Sequence, residues 1–578
     1  MYLFPINKIR PAESILIYGY GMIGKSLAEQ VAKSGYCIVL AFLDANPTKA
    51  VDAKLPVLPP EKVRDFDGIR VLLAAKEKSV REEMSRNLIR LGIEEKRIIK
   101  DGIISFFQQE VAKEICGTDG EILRILITGG GGLGDDLLAL PAVERIRELY
   151  GKNTVLIGIS KYKGLFENRT SVFDEVLDTE DVAVRLSMSK YDFDAFISFH
   201  HIPRVIYWAP EKVKRIAPEL HVFCQKYITF DEKRKLERDS FLFIYRMARL
   251  YTKNRIDVTD FFGDLGKLSR HIFLSWSTDS QTVLEKFGLS GKCYAVLNRD
   301  SSINASSYNP KLWPAEYYGT LARLLKVRFP AMTIVLIGRR ALAGKIDGID
   351  MDLSGATTLN ELKVILKFSE VLVSCEGGLV HLNHFLYNRS VVIFGPTDEA
   401  YFGHKEDAAC VARDCGCPCN YITSDWMKGC IRNFTPARCM ARVTPEIVLG
   451  KASEIIRSHS FSYGVRRLNR EDVPGIIASG RNEDKGILQI DGQDDDRRAD
   501  RNWMNYPAYE GCFDIIFISA GDFTDPYAVL HEMVRILKVG GELILPVSML
   551  ACSPDLAAIP DGRGELVMLK KESAGDLV

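Results

Sequence analysis

The residues with the clearest chemical meaning lie where glycine-rich turns meet apolar runs. Asp135 and Asp136 follow the glycines at 129–132 and Gly134, just past the apolar stretch 122–127. Such a loop admits close backbone approach, and a carboxylate there can take a proton from a hydroxyl or cap the following helix. Lys311 stands in Lys311-Leu312-Trp313-Pro314, an ammonium suited to a phosphate. The turns Glu376-Gly377-Gly378-Leu379-Val380-His381 and Phe394-Gly395-Pro396-Thr397-Asp398 each follow an apolar run, and Asn298 ends another. Glycines at a helix start leave backbone N–H groups open to an anion. Five of the 13 cysteines are Cys415, Cys417, Cys419, Cys430 and Cys439. Four thiolates suit tetrahedral iron or zinc, and Cys415, Cys419, Cys430 and Cys439 form the favoured set, with Cys417 a fifth candidate. Reduced thiols in a loop-rich insertion are the alternative. Near the amino terminus, Gly19, Gly21 and Gly24 open a helical pattern and Asp44 ends the next apolar run, as in a dinucleotide-binding turn.

The elements that must position these residues read as repeated α/β units. Runs 14–18, 37–43 and 71–75 have strand length, with helical patterns at 25–33 and 79–91. A second series begins at 122–127. A third contains strands at 294–298, 333–337, 371–374 and 391–394, each ending at or just before Gly, Asn or Ser. Parallel strands buried on both faces read as such continuous apolar runs. Two tandem units with a ligand between them suggest a bilobed enzyme. Residues 484–502, dense in Asp and Arg, read as a solvated linker. Beyond them come a strand at 513–518, a helix at 527–537, a turn at 538–541 and a strand at 542–545.

The bulk properties narrow the partners. The 578 residues suggest three or four domains. Lys plus Arg and Asp plus Glu both number 76, so no long-range field draws the chain to nucleic acid or an anionic membrane. No stretch reads as a signal peptide or membrane span, although peripheral membrane contact is compatible. The chain is expected in the cytoplasm, with reduced thiols.

In their order and spacing, the Gly134-Asp135…Leu140-Pro141-Ala142 loop, the Lys-x-Trp-Pro segment, the Gly-x-x-His turn and the Phe-Gly-Pro-Thr-Asp turn resemble family nine glycosyltransferases, the heptosyltransferase type. The resemblance covers about residues 121–457. It implies a GT-B double Rossmann-like core that moves a heptose or related sugar from an ADP-type nucleotide-diphosphate donor. Transfer would invert the anomeric carbon and need no catalytic metal or other cofactor. It implies that Asp135 is the general base, that Lys311 meets the donor phosphate, and that Gly377, Gly378 and His381 lie beside the diphosphate. Gly395, Thr397 and Asn298 would line the donor side. The family's Asp-Ser/Thr-Gly is Glu376-Gly377-Gly378 here, which bears on the donor sugar. The cysteine cluster resembles an iron-binding finger in a branch that glycosylates autotransporter proteins, and its iron or zinc would be structural.

The expected division is a Rossmann-like nucleotide-binding-type module at 1–118, an acceptor lobe at 119–288, a donor lobe at 289–460 and a degenerate methyltransferase-like segment at 461–578. The first module is similar to small Rossmann modules on sugar-modifying enzymes and reads as a binding or docking module without redox chemistry. The last lacks the glycine-rich loop of an active methyltransferase. The acceptor would be a surface glycan or protein, and an oligomer is compatible with the sequence. A non-catalytic glycan-assembly scaffold is the alternative from another class.

Overall fold

The computed structural model describes residues 2–47, 53–102, 104–105, 112–166, 172–188, 192–233, 254–268, 272, 274, 276, 278–300, 309–339, 346–423, 426–458, 461–468, 487–490, 513–518, 526–546 and 566–573. The chain forms two compact units. One comprises Met1–Gly131, Ile146–Lys163 and Thr170–Asp239, the other Gly132–Arg145, Gly164–Arg169 and Ser240–Val578. The helix Leu133–Tyr150 thus gives its amino-terminal part, with Asp135, to the second unit.

The first unit holds two larger sheets. In one, five parallel strands stand in the order Val57–Leu58, Ile38–Leu43, Ser14–Tyr18, Arg70–Leu73 and Ile98–Ile99. The order reverses direction between Ser14–Tyr18 and Arg70–Leu73, the switch that places loops at one strand edge. In the other, Leu123–Thr128 lies centrally between Thr154–Ile159 and Ala195–Ser198, parallel to both. Arg204–Trp208 then turns antiparallel to Ala195–Ser198 and pairs with the two-residue strand Lys113–Glu114.

The second unit holds a six-stranded, wholly parallel sheet: Met351–Asp352, Thr333–Ile337, Tyr294–Asn298, Val371–Cys375, Ser390–Phe394 and Ala408–Val411. Every residue of its three central strands is buried, which fits helices on both faces. The helices Ala315–Arg328 and Pro445–Ser458 supply Tyr318, Leu321, Leu325, Val448, Ala452 and Ile455 to the core against this sheet. Leu359–Lys367 starts at a capping box, in which Thr358 and Glu361 satisfy each other's backbone N–H groups. The expected α/β class with parallel sheets is therefore the observed one.

The carboxy-terminal sheet departs from the sequence reading in two places. Ile487–Ile490 is a strand parallel to Phe513–Ile518, although the stretch was expected to be linker. Its apolar Ile487, Leu488 and Ile490 precede the charge-dense residues and suffice for a short strand. Residues 538–541, expected as a turn, belong to the strand Leu537–Pro546, which follows directly on the helix Pro526–Ile536. A register irregularity between Phe513 and Ile515 accommodates this longer partner. Among the described residues, no helix is long and apolar enough to cross a membrane.

Candidate functional site

Asp135 lies in the first turn of Leu133–Tyr150, where the helix dipole favours a carboxylate. Its side chain is 34% exposed, whereas Asp136 is buried. Asp135 is therefore the member of the pair that a substrate hydroxyl can meet. The carboxylate folds back over Gly132, where an added Cβ would stand 2.5 Å from Oδ2. Its other oxygen, Oδ1, faces Nη2 of Arg255 at 3.4 Å.

Two glycines let a second helix start approach this turn. A Cβ on Gly378 would lie 2.9 Å from Leu133 Cβ and 3.0 Å from Gly134 N. A Cβ on Gly134 would lie 2.8 Å from His381 Cδ2. Real side chains do not tolerate such contacts without backbone movement. The helix Gly378–Phe385 can therefore start against the Asp135 turn only because both positions lack a side chain. Gly377 and Gly378 follow the strand Val371–Cys375, while Gly395 and Thr397 follow its parallel neighbour Ser390–Phe394. The two turns consequently emerge side by side at the carboxyl edge of the sheet, where ligands of such sheets bind.

Lys311 and Glu376 are both buried, and Nζ lies 2.5 Å from Oε2. Neither charge is isolated in the interior. His381 is buried, with Nδ1 2.8 Å from Nε2 of His404, whose ring stacks on His384 at 3.7 Å and 4°. Burial, followed by the charges of His384, Lys311 and Arg255, pushes the His381 pKa down to about 3. At neutral pH His381 is thus an uncharged hydrogen-bonding group rather than a cation for phosphate. Asn298 is also buried, but its amide donates to Asp300 O at 2.8 Å and Ser374 Oγ at 2.9 Å. Its observed role is to tie two strand ends together. Gly395 has a packing reason, because a Cβ there would lie 2.2 Å from Met440 Sδ.

Sequence reasoning did not find Arg255, Tyr401, Tyr421 or His404. Arg255 is fully buried, and its backbone N–H donates to Tyr401 O at 2.8 Å. Asn254 beside it donates to Gly403 O at 2.9 Å, fixing the segment on the helix Glu399–Phe402. Burial raises the Tyr401 pKa to about 12, with Arg255 and Asp135 both acting on it. Burial also raises the pKa of Tyr421, which feels Tyr401, Asp135, Arg255 and Glu376. Tyr421 sits at φ 61°, a left-handed conformation that costs a bulky residue of order 1–3 kcal/mol. Backbone bonds from Cys419 and Asn420 to Pro396 O, at 2.8 and 2.9 Å, hold the segment leading into it. The cysteine-bearing loop thereby delivers Asn420 and Tyr421 to the neighbourhood of Asp135.

Within that loop, the sulphurs of Cys415, Cys417 and Cys439 lie within 4.8 Å of one another. Cys419 and Cys430 line the same hollow with Pro310, Pro396 and Trp426. The tightest trio therefore contains Cys417, the fifth candidate of the sequence reading, in place of Cys419 and Cys430. A hydrogen bond from Cys439 lowers the Cys417 pKa to about 5, assisted by Arg413. Thiolates are the ligands that iron or zinc takes from cysteine. Tetrahedral zinc with ~2.3 Å bonds would set its sulphurs about 3.8 Å apart, compatible with this cluster.

In the amino-terminal turn Gly19, Gly24 and Asp44 each have a local role. Gly24 is required by packing, since a Cβ there would lie 1.9 Å from Gly19 O. Gly19 itself needs φ +112°, and Gly21 faces open space. Asp44 accepts from Tyr20 N at 2.8 Å and from Asn46 N at 2.9 Å. Both carboxylate oxygens thus stabilise the turn.

Comparison with known proteins gives the kinship. Residues 274–421 match the family described as "Glycosyltransferase family 9 (heptosyltransferase)". Lipooligosaccharide heptosyltransferase 2 of Haemophilus influenzae is 23% identical over 251 residues, covering 40% of this chain and 67% of that protein. A family 9 glycosyltransferase structure from Veillonella parvula is 17% identical, covering 59% of this chain and 99% of its own, with a TM-score of 0.38. The enterotoxigenic E. coli glycosyltransferase TibC, described as iron-containing and dodecameric, is 13% identical. It covers 59% of this chain and 77% of its own, with a TM-score of 0.38. The stretch 274–421 is thus similar to glycosyltransferase family 9, and that match together with the Haemophilus relative indicates a glycosyltransferase enzyme.

Proposed function

We propose that the chain transfers a heptose or related sugar from an ADP-type nucleotide-diphosphate donor to a surface glycan or protein, with inversion. The observation that carries this reading is the close approach of the Leu133–Gly134 turn, which leads into the accessible Asp135, to the helix start at Gly378, with Lys311, Glu376 and His381 in the same unit. An inverting transfer needs a base for the acceptor hydroxyl on one side of the sugar and charge stabilisation for the departing diphosphate on the other. Asp135 supplies the base. Lys311, fixed by Glu376, and the open N–H groups at Gly377 and Gly378 supply the second requirement. Neutral His381 contributes a hydrogen bond.

Lys311 gives a binding test. Removing it alone would leave Glu376 buried without its partner, at a cost of roughly 3–5 kcal/mol in stability. The cleaner variant is Lys311→Met in a Glu376→Gln background, compared with Glu376→Gln. It should weaken ADP binding by about 10–100-fold, the value of a hydrogen bond to a charged group. Calorimetric titration measures this. Wild-type protein that binds neither ADP nor ADP-heptose at millimolar concentration removes the donor reading.

The cysteine hollow would hold a structural iron or zinc through Cys415, Cys417 and Cys439, with Cys419 or Cys430 as a fourth ligand. Its contribution would be to fix the loop that carries Asn420 and Tyr421. Elemental analysis of protein prepared without a metal-affinity tag should find about one iron or zinc per chain. Cys439→Ser should lower that content and the thermal transition together. Finding neither metal in fresh protein would favour plain reduced thiols.

The amino-terminal module is assigned a binding or docking role without redox chemistry, and the carboxy-terminal segment no methyl transfer. A cytoplasmic location completes the proposal, and an oligomer is compatible with it.

A further inference from the structure

Several buried polar atoms near Asp135 have no hydrogen-bond partner among the described residues. They are Nε and Nη1 of Arg255, Oγ1 of Thr397, and both Oδ1 and Nδ2 of Asn420. Arg255, Thr397 and Asn420 are 0%, 1% and 1% exposed. Folded proteins rarely leave such groups unsatisfied, because each forfeits its hydrogen bonds to water without replacement. Here the three residues belong to one neighbourhood. Asn420 N donates to the carbonyl of Pro396, the residue before Thr397, and Arg255 N donates to Tyr401 on the helix that follows Asp398. Arg255 also faces the Asp135 carboxylate.

The geometry points to a polyol subsite: Arg255, Thr397 and Asn420 recognise the hydroxyl groups of the sugar carried by the donor. This rests on the transferase reading and specifies which part of the donor these residues hold. The chemistry separates a sugar from a diphosphate. A diphosphate offers acceptors alone, which would suit Arg255 and Asn420 Nδ2 but leave Asn420 Oδ1 without a donor. A sugar hydroxyl both donates and accepts, so a ring bearing several of them can satisfy the amide, the threonine hydroxyl and the guanidinium together. Position agrees. Thr397 lies beyond the strand Ser390–Phe394, beside the strand that leads to the Gly377–Gly378 turn proposed for the diphosphate. Arg255 connects the subsite to the proposed base, placing the sugar next to the carboxylate that activates its acceptor. The arrangement also gives the cysteine loop a function, since Asn420 directly follows Cys419.

An unliganded protein that stores unsatisfied groups for a substrate should become more stable when one is removed, and bind that substrate less well. Thr397→Val is nearly isosteric and deletes only the hydroxyl. It should raise the thermal midpoint of the free protein and weaken ADP-heptose binding by roughly three- to ten-fold, while ADP binding changes less than about two-fold. Thr397→Ser should keep ADP-heptose affinity near wild type. Asn420→Ala, which deletes two groups, should weaken ADP-heptose by about ten-fold or more with the same indifference to ADP. Titrations of wild type and all three variants with ADP and with ADP-heptose, plus thermal scans without ligand, test the proposal. Equal losses for both ligands, unchanged affinity for both, or a lowered midpoint in Thr397→Val would each overturn the sugar subsite while leaving donor binding intact. Wild-type binding to neither ligand would instead overturn the transferase reading, and the subsite with it.

Discussion

Asp135→Asn is expected to cut the rate of sugar transfer by about 10²–10⁴-fold, the usual range for loss of a general base. The amide keeps the size of the carboxylate and can still accept a hydrogen bond from Arg255, but it cannot hold the acceptor proton. Affinity for ADP should change little, because Lys311 and the Gly377–Gly378 turn are separate groups from the carboxylate. The split matters, since a change confined to turnover marks an interaction made in the transition state. Asp136→Asn is an informative companion. Asp136 is buried, so its substitution should act through the fold, and a matched loss of stability and activity is expected there. If Asp135→Asn turns over at a near-normal rate, the base lies elsewhere.

Gly378→Val should produce the second large effect without touching any charged group. Even the Cβ would stand 2.9 Å from Leu133 Cβ and 3.0 Å from Gly134 N, and valine adds two methyl groups. The helix starts at Leu133 and Gly378 must then separate, carrying Asp135 away from the Gly377–Gly378 turn. A displacement of about 1 Å in a reacting geometry can cost 10²-fold in rate. We therefore expect kcat to fall about 10²-fold while the protein remains folded by circular dichroism. A variant with full activity would show that the close approach is incidental to function.

The parts of the site legible in the sequence were those that sit at strand ends or helix starts. Asp135, the Gly377–Gly378 turn and Thr397 each follow an apolar run, and Lys311 stands just before the helix-starting Pro314, so local pattern announces them. Glycine identity was legible too, but its reasons were not. Gly395 is required by the sulphur of Met440, which lies 45 positions later in the chain, and Gly24 by the carbonyl of Gly19. Arg255 was silent for a related reason. It stands in the polar run Lys253-Asn254-Arg255-Ile256-Asp257, and the bonds that hold this segment go to residues 400–403, far along the chain. Tyr421 and Asn420 were masked by the cysteines around them, which drew attention to a metal rather than to the residues the loop presents. Cysteine spacing likewise could not rank Cys417 against Cys419, because the loop's path decides which sulphurs converge. The linker reading of 484–502 missed Ile487–Ile490 because the charge density of the whole window outweighed three apolar residues.

Acceptor-dependent release of ADP from ADP-heptose tests the central claim most directly. Wild-type protein incubated with ADP-heptose should release ADP slowly by itself and much faster with a cognate glycan or protein acceptor. Asp135→Asn should show no acceptor-dependent increase while still binding ADP. Firm binding of ADP-heptose by wild type with no acceptor-dependent release across lipopolysaccharide-core and protein acceptors would contradict the transferase account. That result would mark the chain as a glycan-assembly scaffold.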